Sequence, residues 1–199
     1  MLARGKLEFY HFEGDEPANK TLAAVAVADK SSTYPDTKPG VVEIHCSDHG
    51  YKNGDQSYLP NYIFIQGTDN YDGLHVILDD DAVDGDSFYM IAKYVAETTA
   101  TGDLIFPGLR FTEPWEFVGF QLHLTAACAT AENFTIDVDS VRGTSFDVNI
   151  RTIPMNGVQN YIWTAPVPIP ICANDIVKVT WANAGDKTWG LTLIAQRLS

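Results

Sequence analysis

Two clusters in the sequence have residue types from which metal or acid–base chemistry is built. The first, His45-Cys46-Ser47-Asp48-His49, has the H-x3-H spacing of some zinc sites. That spacing puts two imidazoles on one face of a helix. Here it follows Val41-Val42-Glu43-Ile44, whose period of two marks a strand, and alternation sends His45 and Cys46 to opposite faces. The cluster reads as a strand-end histidine and a buried cysteine, and no zinc is expected. The second, Asp79-Asp80-Asp81-Ala82-Val83-Asp84-Gly85-Asp86, invites a calcium reading. Taken as an EF-hand loop from Asp80, it has Ala82 where a ligand belongs and Ile91 where a bidentate glutamate should stand. Residues 69–86 hold seven Asp and no Lys or Arg, so a solvated acidic turn is expected, with adventitious Ca²⁺ as the alternative.

Catalytic signatures are few. The sequence has no P-loop and no G-x-S-x-G, and nothing local marks an activated nucleophile. A glycan hydrolase needs two carboxylates facing each other across a cleft, whereas the acidic residues crowd into one turn. No catalytic, cofactor-binding or metal residue is therefore assigned, and the protein is expected not to be an enzyme. Trp115, Trp163, Trp181 and Trp189 raise a carbohydrate-binding alternative, because sugars stack on exposed aromatic platforms. Trp181 shares a strand face with Val177 and Val179, and Trp163 and Trp189 also lie in strand candidates. Trp115, beside Pro114, is expected to be the exposed one.

The elements that would position these residues are short strands. Alternating or apolar runs occur at Lys6–Phe12, Leu22–Ala28, Val41–Cys46, Tyr62–Ile65, Leu74–Leu78 and Ser87–Ile91, with turn residues between them. Longer ones follow at Val118–Thr125, Phe134–Val138, Ser145–Arg151, Tyr161–Thr164, Asp175–Trp181 and Thr188–Ala195. Residues 29–40 spell a loop and Pro107–Pro114 a connector. The fold class is all-β: a small β-barrel or β module followed by an antiparallel, jelly-roll-like β-sandwich. The expected organisation is an N-terminal arm with first strands over 1–40, an acidic module over 41–106, the connector over 107–114 and the sandwich over 115–199.

Composition agrees with a folded protein: 45 % hydrophobic and 20 % charged residues are ordinary globular values. The net charge of −13 argues against binding the phosphate backbone of nucleic acid or an anionic membrane surface. The charge is uneven. Residues 1–108 hold 18 acidic against 7 basic residues, and residues 109–199 hold 8 against 6. Cys46, Cys128 and Cys172 are odd in number, far apart and set beside apolar residues, which reads as buried free thiols. The opening Met1-Leu2-Ala3-Arg4-Gly5-Lys6 lacks the apolar run of a signal peptide, so synthesis in a reducing cytoplasm is expected.

Residues 41–92 resemble a small β module that recurs in bacteriophage virion proteins. The matching features are His49-Gly50, Gly54-Asp55, Ile63-Phe64-Ile65-Gln66-Gly67, Tyr71-Asp72-Gly73 and Asp84-Gly85-Asp86-Ser87-Phe88; an insertion over Asp55–Asn61 departs from the pattern. Residues 115–199 resemble the jelly-roll sandwiches of phage capsid-decoration and tail-associated proteins, through Phe120–Leu124, Phe134–Ser140, Asn174–Asn183 and Thr188–Leu191. The resemblance implies a non-enzymatic virion structural protein, a capsid decoration (cement) protein first and a tail- or neck-associated protein next. A carbohydrate-binding module of a receptor-binding fibre is a further alternative. The implied partners are other virion proteins and further copies of the chain, a trimer being the expected assembly, and the implied location is the virion. Met1–Lys20, with Phe9, Tyr10 and Phe12 among charges, is expected to be an arm ordering on a neighbour or a plain edge strand.

Overall fold

The computed structural model describes residues 4–14, 20–25, 27–45, 61–66, 68–78, 87–96, 100–105 and 108–198. Fifteen strands run through them in chain order. They are β1 (Arg4–Gly14), β2 (Lys20–Val25), β3 (Val27–Asp29), β4 (Val41–His45), β5 (Asn61–Gln66), β6 (Gly73–Ile77), β7 (Ser87–Ile91) and β8 (Ala100–Ile105). Then come β9 (Gly108–Arg110), β10 (Trp115–Leu124), β11 (Asn133–Asp139), β12 (Val148–Pro154), β13 (Asn160–Ile171), β14 (Ile176–Thr180) and β15 (Trp189–Leu198). One 3-10 turn, Thr144–Phe146, is the sole helical element among the described residues. The protein is all-β.

Eight of these strands form a sandwich. One sheet has the order β13-β10-β15-β1 and the facing sheet β12-β11-β14-β9. The chain passes between the two sheets at every step from β9 on except β11 to β12, which are antiparallel neighbours. This is the two-sheet, double Greek-key path of a jelly roll. Its first two strands come from outside 115–199. β1, from the segment expected to be an arm or a plain edge strand, pairs with β15 from Arg4↔Leu198 to Gly14↔Trp189. β9, inside the segment expected to be a connector, pairs with β14. β2 through β8 are thus spliced between the first and second strands of the sandwich.

Charge follows this topology. Residues 15–107 hold 16 acidic and 5 basic residues, a net of −11; the sandwich segments 4–14 and 108–198 hold 10 and 8, a net of −2.

The inserted strands run β5-β6-β7-β4-β3, with β8 on β5 and β2 on β8. A single parallel bridge, His11 with Asn61, joins this sheet to β1. Tyr71 and Phe88 are buried. The Tyr71 hydroxyl donates to the Val95 carbonyl at 2.8 Å and accepts from the Val95 amide at 3.0 Å, so its polar tip is satisfied inside the core. Gly73 has φ of 134°, a conformation that favours glycine. The insertion is not a separate island: Val42, Ile44, Ile65, Tyr71, Phe88 and Met90 belong to one continuous apolar core with the sandwich. Leu74 of β6 packs on Ile176 of β14.

Alternation in β10 shows how sequence becomes sandwich. Trp115 and Phe117 point inward, and so do Phe120, Leu122 and Leu124, while Gln121 and His123 are exposed. The phase slips by one residue because β10 is bulged between Phe117 and Gly119. Gly119 permits it: a Cβ there would lie 2.3 Å from the Trp163 carbonyl oxygen. Phe120 stacks across the sandwich on Phe134 of β11 and within its own sheet on Tyr161 of β13, 5.8 Å from each between ring centres. Each such buried ring contributes on the order of 2–3 kcal/mol.

Three local expectations change. Trp115 is fully buried, not exposed, because β10 begins at this residue and Phe111 closes over it at 4.8 Å, edge to face. Cys172 is exposed, because β13 ends at Ile171 and the chain turns there; Cys128 is buried as expected. The strand expected from Ser145 starts at Val148, since Thr144–Phe146 form the 3-10 turn and Asp147 accepts from the Ser140 amide at 2.9 Å. Cys46, His49 and the acidic turn 79–86 lie outside the described residues.

Candidate functional site

Among the described residues, the histidines and acidic side chains that could carry chemistry are dispersed. His45 ends β4 on the surface, with Nε2 3.4 Å from Glu43, which also pairs with Lys30 at 3.0 Å. His75 Nε2 lies 2.8 Å from the Tyr71 carbonyl. His11 and His123 sit on the outer face of the first sandwich sheet. No group of three or more His, Cys, Asp or Glu positioned for a metal occurs among the described residues.

Three polar clusters each complete a structural task. The buried Asp175 carboxylate accepts from the Ser140 hydroxyl at 3.0 Å and the Val141 amide at 3.1 Å, with Arg142 at 3.6 Å. Arg142 also donates to the Ser140 oxygen, so this serine is held by a carboxylate and a guanidinium, and among the described residues no imidazole is bonded to it to take its proton. Glu132 accepts from the Thr130 hydroxyl at 2.6 Å, the Cys128 thiol at 3.1 Å and the Ala184 amide at 3.1 Å. Burial pushes this carboxyl up, but those hydrogen bonds outweigh it and hold it below the usual glutamate range. Arg197 bridges Glu8 at 3.2 Å and Glu113 at 3.0 Å and lies over the Phe111 ring, while Tyr10 donates to Glu8. Burial, then the Glu8 carboxylate, raises the Tyr10 phenol well above its ordinary value. None of these arrangements pairs an activated nucleophile with a base.

The tryptophans offer little platform. Trp115, Trp181 and Trp189 are buried. Trp163 is half-buried, and the Arg151 guanidinium covers its ring at 5.8 Å while donating to the Tyr161 hydroxyl at 2.7 Å. Arg151 so closes the gap between β12 and β13 at the open side of the sandwich.

The feature that stands apart is the outer face of the β13-β10-β15-β1 sheet. Registers place its side chains in rows. One central row runs Ile162, Gln121, Thr192 and His11; the next runs Thr164, Gly119, Ile194 and Phe9. Neither contains Asp, Glu, Lys or Arg. Ile162 is 73 % exposed, Phe9 51 % and Leu7, one row further, 44 %. His11 Nδ1 lies 2.8 Å from the Thr192 hydroxyl, and partial burial holds the imidazole below its ordinary value, favouring the uncharged ring. Sequence reasoning missed this face because it is assembled from four strands distant in the chain. The one local signal was the exposed apolar pair Leu7 and Phe9 at alternate positions of a first strand.

A scan against protein-family models finds no match to this chain, and a search of curated proteins finds no similar sequence.

Proposed function

We propose that the protein is a non-enzymatic structural component of a bacteriophage particle, a capsid decoration protein that acts through non-covalent contacts. The observation that supports this reading is the split of charge along the topology. A sandwich of net −2 presents a sheet face whose two central rows are uncharged and partly apolar, and the inserted segment carries a net −11. In this reading the sandwich packs on neighbouring proteins of the shell and on further copies of itself, and the acidic insertion faces solvent. Affinity then comes from surface buried in repeated contacts and summed over many copies, with no need of a strong single site. The likeness of residues 41–92 and 115–199 to phage virion modules supports the same assignment.

The test is co-sedimentation of the purified protein with assembled capsid shells of the bacteriophage whose genome encodes it. Saturable binding at a fixed number of copies per shell is expected. A protein that stays in the supernatant at every ratio overturns the decoration reading.

A further inference from the structure

We propose that the outer face of the β13-β10-β15-β1 sheet is a self-association surface on which a second copy of this chain docks face to face. The inference names the partner of a face that the functional reading uses, but it stands on separate observations.

Charge selects the face. Each copy carries −13, so two copies repel wherever their acidic surfaces meet. The two central rows of this face hold no charged side chain, His11 favours its neutral form there, and Glu116 stands in the flanking row with Leu7 and Gln196. Approach along this face therefore costs less electrostatic work than approach along the acidic insertion.

Shape and area fit a second copy. Four strands at about 4.8 Å spacing and about 24–34 Å length give a face of roughly 450–650 Å² in projection, more once corrugation is counted. That is near the ~800 Å² per partner of a standard-size interface. Gly119 and Gly190 project no side chain, which keeps the centre of the face flat. The exposed apolar anchors lie on the two outer strands of these four, Phe9 and Leu7 on β1, beside which β5 continues the sheet, and Ile162 on the end strand β13. A two-fold axis running along the strands between β10 and β15 brings the Phe9 side of one copy over the Ile162 side of the next, so each copy gives and receives the same contact.

The sheet edge is unsuited to the same task. Pro166, Pro168 and Pro170 in β13, an end strand of the sheet, remove three backbone donors. Copies are directed to stack by faces, and an isologous contact closes at two, where the resemblance implied three.

Sedimentation equilibrium of the purified full chain at about 100 µM, above the micromolar dissociation constants of weak interfaces, reads the assembly directly. A mass of two chains is expected. Phe9→Asp should shift it to one chain, whereas Val141→Asp, at an equally exposed loop position off this face, should leave it at two. Should Phe9→Asp fail to fold, Ile162→Asp makes the same reading at a position 73 % exposed. A wild-type mass of one chain, or an assembly that both face variants leave intact, overturns the proposal. Pairing without shell binding removes only the particle reading, and shell binding by a protein that remains single removes only this inference.

Discussion

The Glu132 carboxylate accepts a hydrogen bond from the backbone amide of Ala184 at 3.1 Å, tying the turn before β11 to the loop between β14 and β15. Thr130 and Cys128 donate to the other carboxylate oxygen, so one side chain organises a whole end of the sandwich. Glu132→Ala leaves an amide and a hydroxyl short of their acceptor and should destabilise the fold by about 1–3 kcal/mol, read by urea denaturation. The carboxyl is held below its usual range, so its contribution is full above the unfolded value near 4.5 and is lost as pH falls through the folded value. The Glu132→Ala protein should accordingly show a weaker fall in melting temperature below pH 4.5 than wild type.

His11 gives a second pH dependence with its own window. Burial lowers its pKa, so the unfolded chain takes up a proton as pH falls through about 6.5 while the folded chain does so later. The associated stability is complete above that pH and is lost below it. Thermal melts at pH 7.5 and 5.5 should show a larger decrease for wild type than for His11→Gln; equal decreases would remove His11 as the cause.

Gly119 sits where the bulge of β10 presses against β13. Because a Cβ would lie 2.3 Å from the Trp163 carbonyl oxygen, the backbone itself must move to accept one. Gly119→Ala should cost about 1–3 kcal/mol in chemical denaturation, a larger loss than a surface substitution in a strand produces.

Trp115 distinguishes a core residue from a ligand platform. As a fully buried side chain against Phe111, its replacement by alanine should destabilise by about 3–5 kcal/mol. Its emission in the folded protein should also resist acrylamide quenching. A near-neutral Trp115→Ala would mean that the indole stands in solvent.

Much of the strand set was legible because period-two alternation survives wherever one face of a strand is buried. β4, β7, β11 and β14 fall within one or two residues of the runs read from the sequence, and Val177, Val179 and Trp181 share the buried face expected of them. Other elements were hidden for physical reasons. β9 is three residues long, too short to display a period, and it begins at a Pro-Gly pair that also spells a turn. β13 was read only as far as Thr164, because the prolines from 166 on argue against a strand unless it lies at an edge, where it does lie. Pro114 made Trp115 look exposed, although a proline just before a strand says nothing about which face the next residue takes. The placing of β2–β8 between β1 and β9 was beyond local reading altogether. It depends on β1 finding β15, a pairing between opposite ends of the sequence that no window of neighbouring residues contains.

That pairing also sets a timetable for biosynthesis. A ribosome adding about 5–20 residues per second needs roughly 10–35 s to travel from the end of β1 to the start of β15. During that interval β1 has emerged without the strand it will pair along nearly its whole length, whereas β2 through β8 can pair among themselves as soon as they are made. The nascent chain thus holds an adhesive first strand while it waits for its last, so premature release or a stalled ribosome yields a species ready to capture β15 from another molecule.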